Sequence, residues 1–424
     1  MEFDVVIAGG GLGGVLSAAR LNTLFPEARV ALLEKSSQVG GRLRSSLQVA
    51  GEWSYGLSFV SEQLYHYIQQ TLANNPQRSL DLAEVISRRQ QKLAILSGGK
   101  LHSLAQREVF SIQAAKILGG NPAATHWEEL WQLLSDPKQS STVLARQGKK
   151  LGKNPAATVL AQFAPLCGLA DLWQSPMGAM VSRGEAAAAG GYFGPWEGVF
   201  AELLPKSSPG DEGPFRLYTS CEIAHARRDE RGWSIKTSAG VFAARWLVVA
   251  QAPWEAVEWL EKDSCHPWLW SLASQSKPTS AVVLVEQISA GDSEQVETTT
   301  FIPSEESLVF RLGDGCVTAQ AIIDFEQSLN SPAVVKAIKQ LRRAVGKYKK
   351  AHPGLETYGE HLALKSVAWP QTGFLRGQKF AYSAEPTLRQ CFCGDAYGSS
   401  FLPDENLIES VSNSALQISE FLQG

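Results

Sequence analysis

The sequence has no hydrophobic run that approaches the ~18 residues needed to span a bilayer, and it carries little net charge. Its 39 basic and 42 acidic residues leave a formal net charge of −3 over 424 residues. Charge therefore gives no argument for nucleic acid or for a strongly anionic partner. Glu2 and Asp4 lead directly into an apolar strand, which is not the pattern of a signal peptide. We expect a cytoplasmic protein without a transmembrane segment; peripheral membrane contact and the oligomeric state stay open.

Cysteines and metal-ligand patterns are also scarce. The six cysteines include no C-x-x-C pair, which fits free thiols in a reducing compartment. The seven histidines lack the spacing of metal ligands, and no G-x-S-x-G elbow is present. These absences argue against metalloenzymes and hydrolases, and the sequence predicts no metal site.

What the sequence does contain is a dinucleotide-binding pattern at its amino terminus. An apolar strand at residues 4–8 leads into a glycine-rich turn and then into a helical pattern. This is the context in which G-x-G-x-x-G is informative. Gly9 permits the tight turn, Gly11 lets the backbone approach a pyrophosphate, and Gly14 lets helix and strand pack closely.

Two further residues complete this unit. The helix that opens at Leu12 would present its N–H groups and partial positive charge to the phosphates. A second apolar strand, at residues 29–33, ends in Glu34, and this acid about 20 residues after the turn can accept hydrogen bonds from ribose hydroxyls. An acid there also repels a 2′-phosphate, which argues against NADP.

The segment after the acid indicates which dinucleotide is bound. Gly40-Gly41-Arg42 follows Glu34 and Lys35 with the spacing E-x5-G-G-R. This resembles the amino-terminal signature of the flavin-dependent amine oxidase, protoporphyrinogen oxidase and phytoene desaturase superfamily. The resemblance implies that Gly41 passes close to the FAD pyrophosphate, that Arg42 adds charge, and that Lys35 lies in the same site. The alternative is an exposed Gly-Gly turn with a surface arginine.

The carboxyl end is similar to the same superfamily. A strand-like run at residues 390–393 ends in Gly394-Asp395, and an amphipathic helix is predicted over residues 407–422. The resemblance implies that Gly394 and Asp395 contact the ribityl and phosphate part of FAD. It also implies that the helix start, at Asn406 and Leu407, faces the pyrimidine edge of the flavin. A simple helix cap at Asp404 or Glu405 is the plain alternative. Nothing in this motif places a residue for covalent attachment, so FAD is expected to be non-covalent.

The rest of the chain predicts an α/β protein with a discontinuous, Rossmann-like FAD-binding domain and an inserted α+β substrate-binding domain. We assign residues 1–60, 190–265 and 368–424 to the first domain, and residues 61–189 and 266–367 to the second.

Smaller elements are predicted within these domains. Helical patterns dominate residues 61–181, and a three-stranded meander is expected at residues 215–221, 233–237 and 241–250. Further strands are expected at residues 281–285, 308–311 and 319–323, followed by a helix capped by Ser331 whose basic face could contact a membrane or lie in solvent. The resemblance also implies that the backbone near Cys221 brackets the adenine of FAD.

This chain differs from the amine oxidases of the superfamily at two positions that bear on the substrate. Those enzymes usually carry a lysine on the strand matched by residues 281–285, which has none, and an aromatic residue where this chain has Asn406. We therefore predict hydride removal from a hydrophobic small molecule, with the flavin reoxidised by oxygen or another acceptor. Tyr192, Trp196 and Trp369 are candidates for lining the cavity, the alternative being plain packing. A phytoene desaturase-like enzyme, a flavin amine oxidase and a non-catalytic FAD-binding protein remain alternatives.

Overall fold

A mixed sheet with a parallel centre organises one part of the fold. The computed structural model describes residues 1–43, 60–74, 80–89, 92–104, 116–117, 191–193, 196–205, 213–275, 279–289, 298–312, 315–367, 388–394, 397 and 403–423. The strands of this first sheet are β1 (Glu2–Ala8), β2 (Val30–Leu33), β7 (Phe215–Tyr218), β8 (Ile223–Asp229), β9 (Gly232–Thr237), β10 (Gly240–Val249) and β16 (Gln390–Phe392). Their order is β7-β2-β1-β10-β9-β8, with β16 also paired to β10.

Helices cover both faces of this sheet, which is why its central strands are apolar throughout. Val5 to Ala8 of β1 are fully buried. One face packs against α1 (Leu12–Leu24) and α9 (Pro403–Gln423), and the other against α5 (Pro253–Trp259) and α6 (Pro267–Gln275). Cys391 and Cys393 belong to the first of these cores, where burial raises the pKa of both thiols, to about 12 for Cys393. The α/β, Rossmann-like fold class is thereby confirmed.

The meander expected at residues 215–250 is wrong at its first strand. β7 instead pairs in parallel with β2 at the far edge of the sheet, and β8 is the first strand of the meander with β9 and β10. The sequence of β8, IAHARRD, has only Ala226 buried. It therefore lacks the apolar alternation by which a strand is recognised.

A second sheet carries much of the remaining chain. Its strands are β4 (Lys92–Ser97), β5 (Lys100–Leu104), β11 (Thr279–Ile288), β12 (Thr298–Ile302), β13 (Ser307–Leu312), β14 (Cys316–Asp324) and β15 (Thr357–Val367). Their order is β15-β11-β14-β13-β12-β4-β5. The strands expected at residues 281–285, 308–311 and 319–323 are confirmed as parts of β11, β13 and β14.

Within the segment where helical patterns were expected to dominate, residues 61–104 contain strands as well as helices, and nearly all of residues 105–181 lie outside the described residues. Helices α2 (Glu62–Ala73) and α3 (Leu82–Val85) are followed by β3 (Ser87–Arg89), β4 and β5. These strands have only three to six residues, and periodicity alone does not distinguish such short apolar runs from helix. β3 forms a two-stranded sheet with β6 (Gly191–Phe193), which precedes α4 (Trp196–Leu203).

Ion pairs join the long basic helix to the second sheet. A short helix, α7 (Phe325–Ser328), leads into α8 (Ser331–Ala351), whose N-cap is Asn330 rather than Ser331. Arg343 and Lys347 both contact the buried Glu305, at 2.8 and 2.6 Å. Arg343 and Lys347 therefore make contacts within the protein, whereas Lys336 and Lys339 of the same helix are exposed. No helix in the described ranges is long and apolar enough to cross a membrane.

We predict that Glu305→Gln lowers the free energy of unfolding by about 1–3 kcal/mol at neutral pH, because it weakens two charge-assisted hydrogen bonds. Burial alone would raise the pKa of Glu305, but hydrogen bonds from Lys347 and Arg343 hold that pKa below its ordinary value. A depressed folded-state pKa gives stability that is present above the unfolded pKa and is lost as the pH falls through the folded one.

The difference between wild type and Glu305→Gln should therefore shrink below about pH 4. Denaturant titrations at several pH values measure it. Glu306→Gln, at the exposed neighbouring acid, is the matched control and should stay within about 0.5 kcal/mol of wild type. A difference that is the same at pH 3 and pH 7 would contradict the assignment.

Candidate nucleotide-binding site

The glycine-rich turn between β1 and α1 has three glycines in different physical situations. Gly9 has φ +112°, a backbone conformation that side chains rarely adopt. A Cβ atom on Gly14 would overlap the carbonyl oxygen of Gly9, so helix and turn are in direct backbone contact there. A Cβ atom on Gly11 would meet nothing within 4 Å. The open space at the helix N-terminus therefore lies at the glycine expected to face the pyrophosphate.

Glu34 is buried beside this turn and holds it in place. The N–H of Gly10 donates to Oε2 of Glu34 at 2.7 Å, and the N–H of Ser36 donates to Oε1 at 2.8 Å. A carboxylate has about four acceptor positions, so these two bonds leave capacity for ribose hydroxyls. The structure thus adds a second task for Glu34, which is to fix the backbone of the turn itself.

Gly40 and Gly41 pack directly on the glycine-rich turn between β1 and α1. The N–H of Gly40 donates to the carbonyl of Gly10 at 2.7 Å. Gly41 has φ +54°, and a Cβ atom there would lie 3.0 Å from the Cα of Gly11. Arg42 is the central residue of the short 3-10 turn Gly41–Leu43. The E-x5-G-G-R segment therefore lies against the glycine-rich turn, as a shared site requires.

Backbone hydrogen bonds bring Cys221 to the same edge of the sheet. Its N–H donates to the carbonyl of Glu34 at 2.9 Å, and the N–H of Ser220 donates to the carbonyl of Ser36 at 2.8 Å. Lys35 instead points to the surface, where its Nζ lies 3.0 Å from Glu255. Although partial burial opposes the charge, Glu255 and its acidic neighbours raise the pKa of Lys35.

The carboxyl-terminal motif meets the amino-terminal turn. Gly394, with φ +150°, follows β16 and donates its N–H to Oγ of Ser410 at 3.0 Å. Leu407 is buried, and its Cδ1 would lie 3.2 Å from a Cβ atom on Gly13. Asn406 beside it is also buried. The first turns of α1 and α9 are thus neighbours, although their motifs lie almost 400 residues apart. Asp395 lies outside the described residues.

The final helix begins earlier than expected. It starts at Pro403 rather than Leu407, so Asp404, Glu405 and Asn406 lie within its first turn. Proline fits the first turn of a helix because its missing N–H would have no partner there. Asp404 caps a different helix: its Oδ2 accepts a hydrogen bond from the N–H of Ser61, the N-cap of α2, at 2.7 Å.

Two of the three aromatic residues expected to line the substrate cavity are packed within the protein core. Tyr192 stacks on Tyr65 with ring centroids 3.8 Å apart. Trp196 is 1% exposed, and its Nε1 has no hydrogen-bond partner in the part of the chain that the structure describes. Trp369 lies outside the described residues. Contact of these rings with a substrate stays a prediction.

Sequence reasoning gave no role to Gly10 and Ser410. A Cβ atom on Gly10 would lie 2.9 Å from the Glu34 carboxylate, and one on Gly9 would lie 2.8 Å from the carbonyl oxygen of Ala250. The run of three glycines was a usable signal for Gly10. Ser410 contacts Gly394 from two turns into α9, and no local pattern indicates that contact.

Comparisons with known proteins agree with this geometry. A family model described as "NAD(P)-binding Rossmann-like domain" matches residues 7–70. Over 45 residues the chain is 44% identical to uncharacterized protein R188 of Acanthamoeba polyphaga mimivirus, a match that covers 11% of this chain and 9% of the viral protein.

Three solved structures are similar over nearly the whole chain. A protein assigned as a protoporphyrinogen oxidase, from Exiguobacterium sp. 255-15, is 15% identical with a TM-score of 0.66 and 99% of both chains covered. Cyclohexylamine oxidase from Brevibacterium oxydans IH-35A is 15% identical with a TM-score of 0.66 and full coverage of both chains. A fatty acid isomerase from P. acnes that produces CLA is 11% identical, with a TM-score of 0.62 and 97% of both chains covered. The chain therefore shares its overall fold with these solved structures, which agrees with the fold that the sequence resemblance predicted.

Two alanine substitutions should separate a structural glycine from a binding one. Gly14→Ala is expected to lower the stability of the cofactor-free protein by about 2 kcal/mol or more, because its methyl group overlaps a backbone oxygen. Gly11→Ala should leave that stability unchanged or raise it by up to about 1 kcal/mol, while weakening dinucleotide binding at least tenfold.

Denaturant titration of the apoprotein and flavin fluorescence titration measure the two effects. Gly11→Ala that binds as tightly as wild type would show that the open space at Gly11 is not where the dinucleotide lies.

Proposed function

We propose that this protein is an FAD-dependent oxidoreductase that removes hydride from an apolar small molecule. The observation that carries the proposal is the open space at Gly11, bounded by Gly9, Glu34 and Gly41 and facing the N-terminus of α1. A helix N-terminus with backbone N–H groups exposed through a glycine suits a pyrophosphate, because both its partial charge and its donors favour an anion.

The residues present fit FAD in particular. Gly9, Gly11, Leu12 and Gly14 would hold the pyrophosphate from one side, and Gly41 with Arg42 from the other. Glu34 would accept from the adenosine ribose, with the backbone at Cys221 beside the adenine. At the other end, Gly394, Asp395, Asn406 and Leu407 would hold the ribityl chain and the flavin. When bound, FAD supplies the redox chemistry, and the protein positions the substrate and tunes the flavin.

The structural neighbours are named for amine oxidation, porphyrinogen oxidation and fatty acid isomerisation. The fold alone therefore does not indicate which substrate is bound. Two residues favour the apolar branches. The centre of the matched strand is Val283, which is buried and apolar, where amine oxidases carry a lysine. The buried Asn406 replaces an aromatic residue of the amine oxidase site.

The purified protein should be yellow and release its chromophore as intact FAD on acid precipitation. We expect no covalent bond because Cys391 and Cys393, the cysteines of the carboxyl-terminal motif, are buried in the core beside the sheet. Chromatography of the supernatant against FAD and FMN standards measures the result. A chromophore that stays with the precipitate, or a colourless protein that FAD cannot reconstitute, would contradict the proposal.

Glu34→Ala should weaken FAD binding by roughly tenfold or more, since the loss of hydrogen bonds to buried groups costs about 1–3 kcal/mol and each 1.4 kcal/mol is a decade of affinity. Fluorescence titration gives the dissociation constant. Glu258→Ala is the matched control: it removes an exposed acid from neighbouring α5 and should change the constant less than twofold. Equal constants for the two variants would show that Glu34 is not part of the site.

Primary amines and polyamines should not bleach the flavin under anaerobic conditions, whereas apolar molecules with activated C–H bonds should. Stopped-flow absorbance against a substrate panel measures the rates. Bleaching by a common amine near the ~10 s⁻¹ typical of enzymes would overturn this substrate class. Lys365, which pairs with Ala281 across β15 and β11, would then be the first residue to replace.

A further inference from the structure

The two faces of the second sheet differ in what covers them. Val317, Ala319 and Ala321 of β14 pack with Leu341 and other residues of α8 in one core. Because side chains alternate along a strand, Thr318 and Gln320 lie on the opposite face. We call this opposite face the inner face; it is defined by the cross-strand row through Gln320.

That row is apolar except for one amide. Strand pairing places Val283 of β11 and Leu308 of β13 on either side of Gln320, and continues through Phe301 of β12 to Ile95 of β4. All five side chains are at most 3% exposed. Directly paired residues have Cβ atoms about 5 Å apart, so the Gln320 amide is surrounded on the sheet by hydrocarbon.

Gln320 and Thr318 also carry polar atoms without partners. Nε2 of Gln320 and Oγ1 of Thr318 are buried and make no hydrogen bond among the described residues. Buried polar groups are nearly always paired, and an unpaired one costs free energy that an apolar side chain would avoid. Ser280 and Thr300 carry similar unpaired hydroxyls, but by the same alternation they lie on the face that packs against α8.

We propose that Gln320, assisted by Thr318, is a specificity-determining residue that binds a hydrogen-bond acceptor oxygen on an otherwise apolar substrate. Two polar groups about 7 Å apart on one strand, set in an apolar surface, have the composition of a small-molecule pocket. The inference rests on the proposed function. It also uses the sequence-based prediction that the strands of this sheet belong to the substrate-binding domain. It narrows the substrate class to hydrophobic molecules that carry a carbonyl or carboxyl oxygen.

The first test needs neither ligand nor flavin. Groups kept for binding rather than folding should be replaceable without loss of stability. Thr318→Val and Gln320→Leu should therefore keep or raise the melting temperature. The matched control is Thr237→Val, because the Thr237 hydroxyl donates to the Gly240 carbonyl at 2.9 Å and accepts from the Ala239 N–H at 3.1 Å. It should lower the melting temperature by about 2–4 °C. A similar fall in the melting temperature of Gln320→Leu would mean that the Gln320 amide has a hydrogen-bond partner within the fold. That result would overturn the proposal.

The second test uses two ligands of the same shape, acetophenone and α-methylstyrene, which differ in a carbonyl oxygen against a methylene group. Wild-type protein should bind the ketone about fivefold to tenfold more tightly, a ratio of the size expected for one hydrogen bond. Gln320→Leu should abolish this preference. Equal binding by wild type, or a preference that survives in the variant, would overturn the proposal.

Thermal shift reads both ligands whether or not flavin is bound, and the FAD content of each sample is measured separately. A protein without FAD that still shows the Gln320-dependent preference would refute the proposed redox function alone. A protein with FAD but without the preference would refute only the role of Gln320.

Discussion

The hydrogen bond from the Gly10 N–H to the Glu34 carboxylate, 2.7 Å long, is the contact on which the nucleotide site depends. It joins the turn after β1 to the end of β2, and the carbonyl of the same Gly10 accepts from Gly40. Two glycine-rich segments and the end of β2 are thereby held in one arrangement. This arrangement leaves space beside Gly11 while closing it at Gly9 and Gly14, so one buried carboxylate shapes the site and, in the function we propose, also binds the ribose.

A second constraint comes from the carboxyl end of the chain. β16 is added next to β10 in the parallel sheet, and α9 packs beside α1 so that Leu407 reaches Gly13. Strand and helix together bring the two ends of the sequence to one site. The second sheet is built from other strands, and α8 is fixed to one of its faces by ion pairs with the buried Glu305. Its inner face is apolar around Gln320, which suits a substrate that is mostly hydrocarbon.

Sequence alone predicted the glycine-rich turn and the acid at the end of β2, because these features are local. Gly9, Gly11, Gly14 and Glu34 have fixed spacing along the chain, and each spacing follows from one turn and two strands. Prediction failed where a contact joins distant segments or where burial is low. β8 was missed because six of its seven residues are not buried, and the role of Asp404 in capping α2 joins residues 343 positions apart. Gln320 belongs to no sequence motif. It is distinguished only by its buried Nε2 atom, which has no hydrogen-bond partner among the described residues. The division into two discontinuous domains stays a prediction.

The central claim is that the turn at Gly11 and the motif at Gly394 together hold FAD. Its most direct test is equilibrium titration of the apoprotein with FAD, FMN and NADP by isothermal calorimetry. The account predicts one FAD per chain, bound at least about 100-fold more tightly than FMN, since FMN lacks the adenosine and second phosphate whose contacts are worth about 3 kcal/mol or more. It also predicts that NADP binds weakly. Equal affinity for FAD and FMN, or tight binding of NADP in preference to FAD, would contradict it.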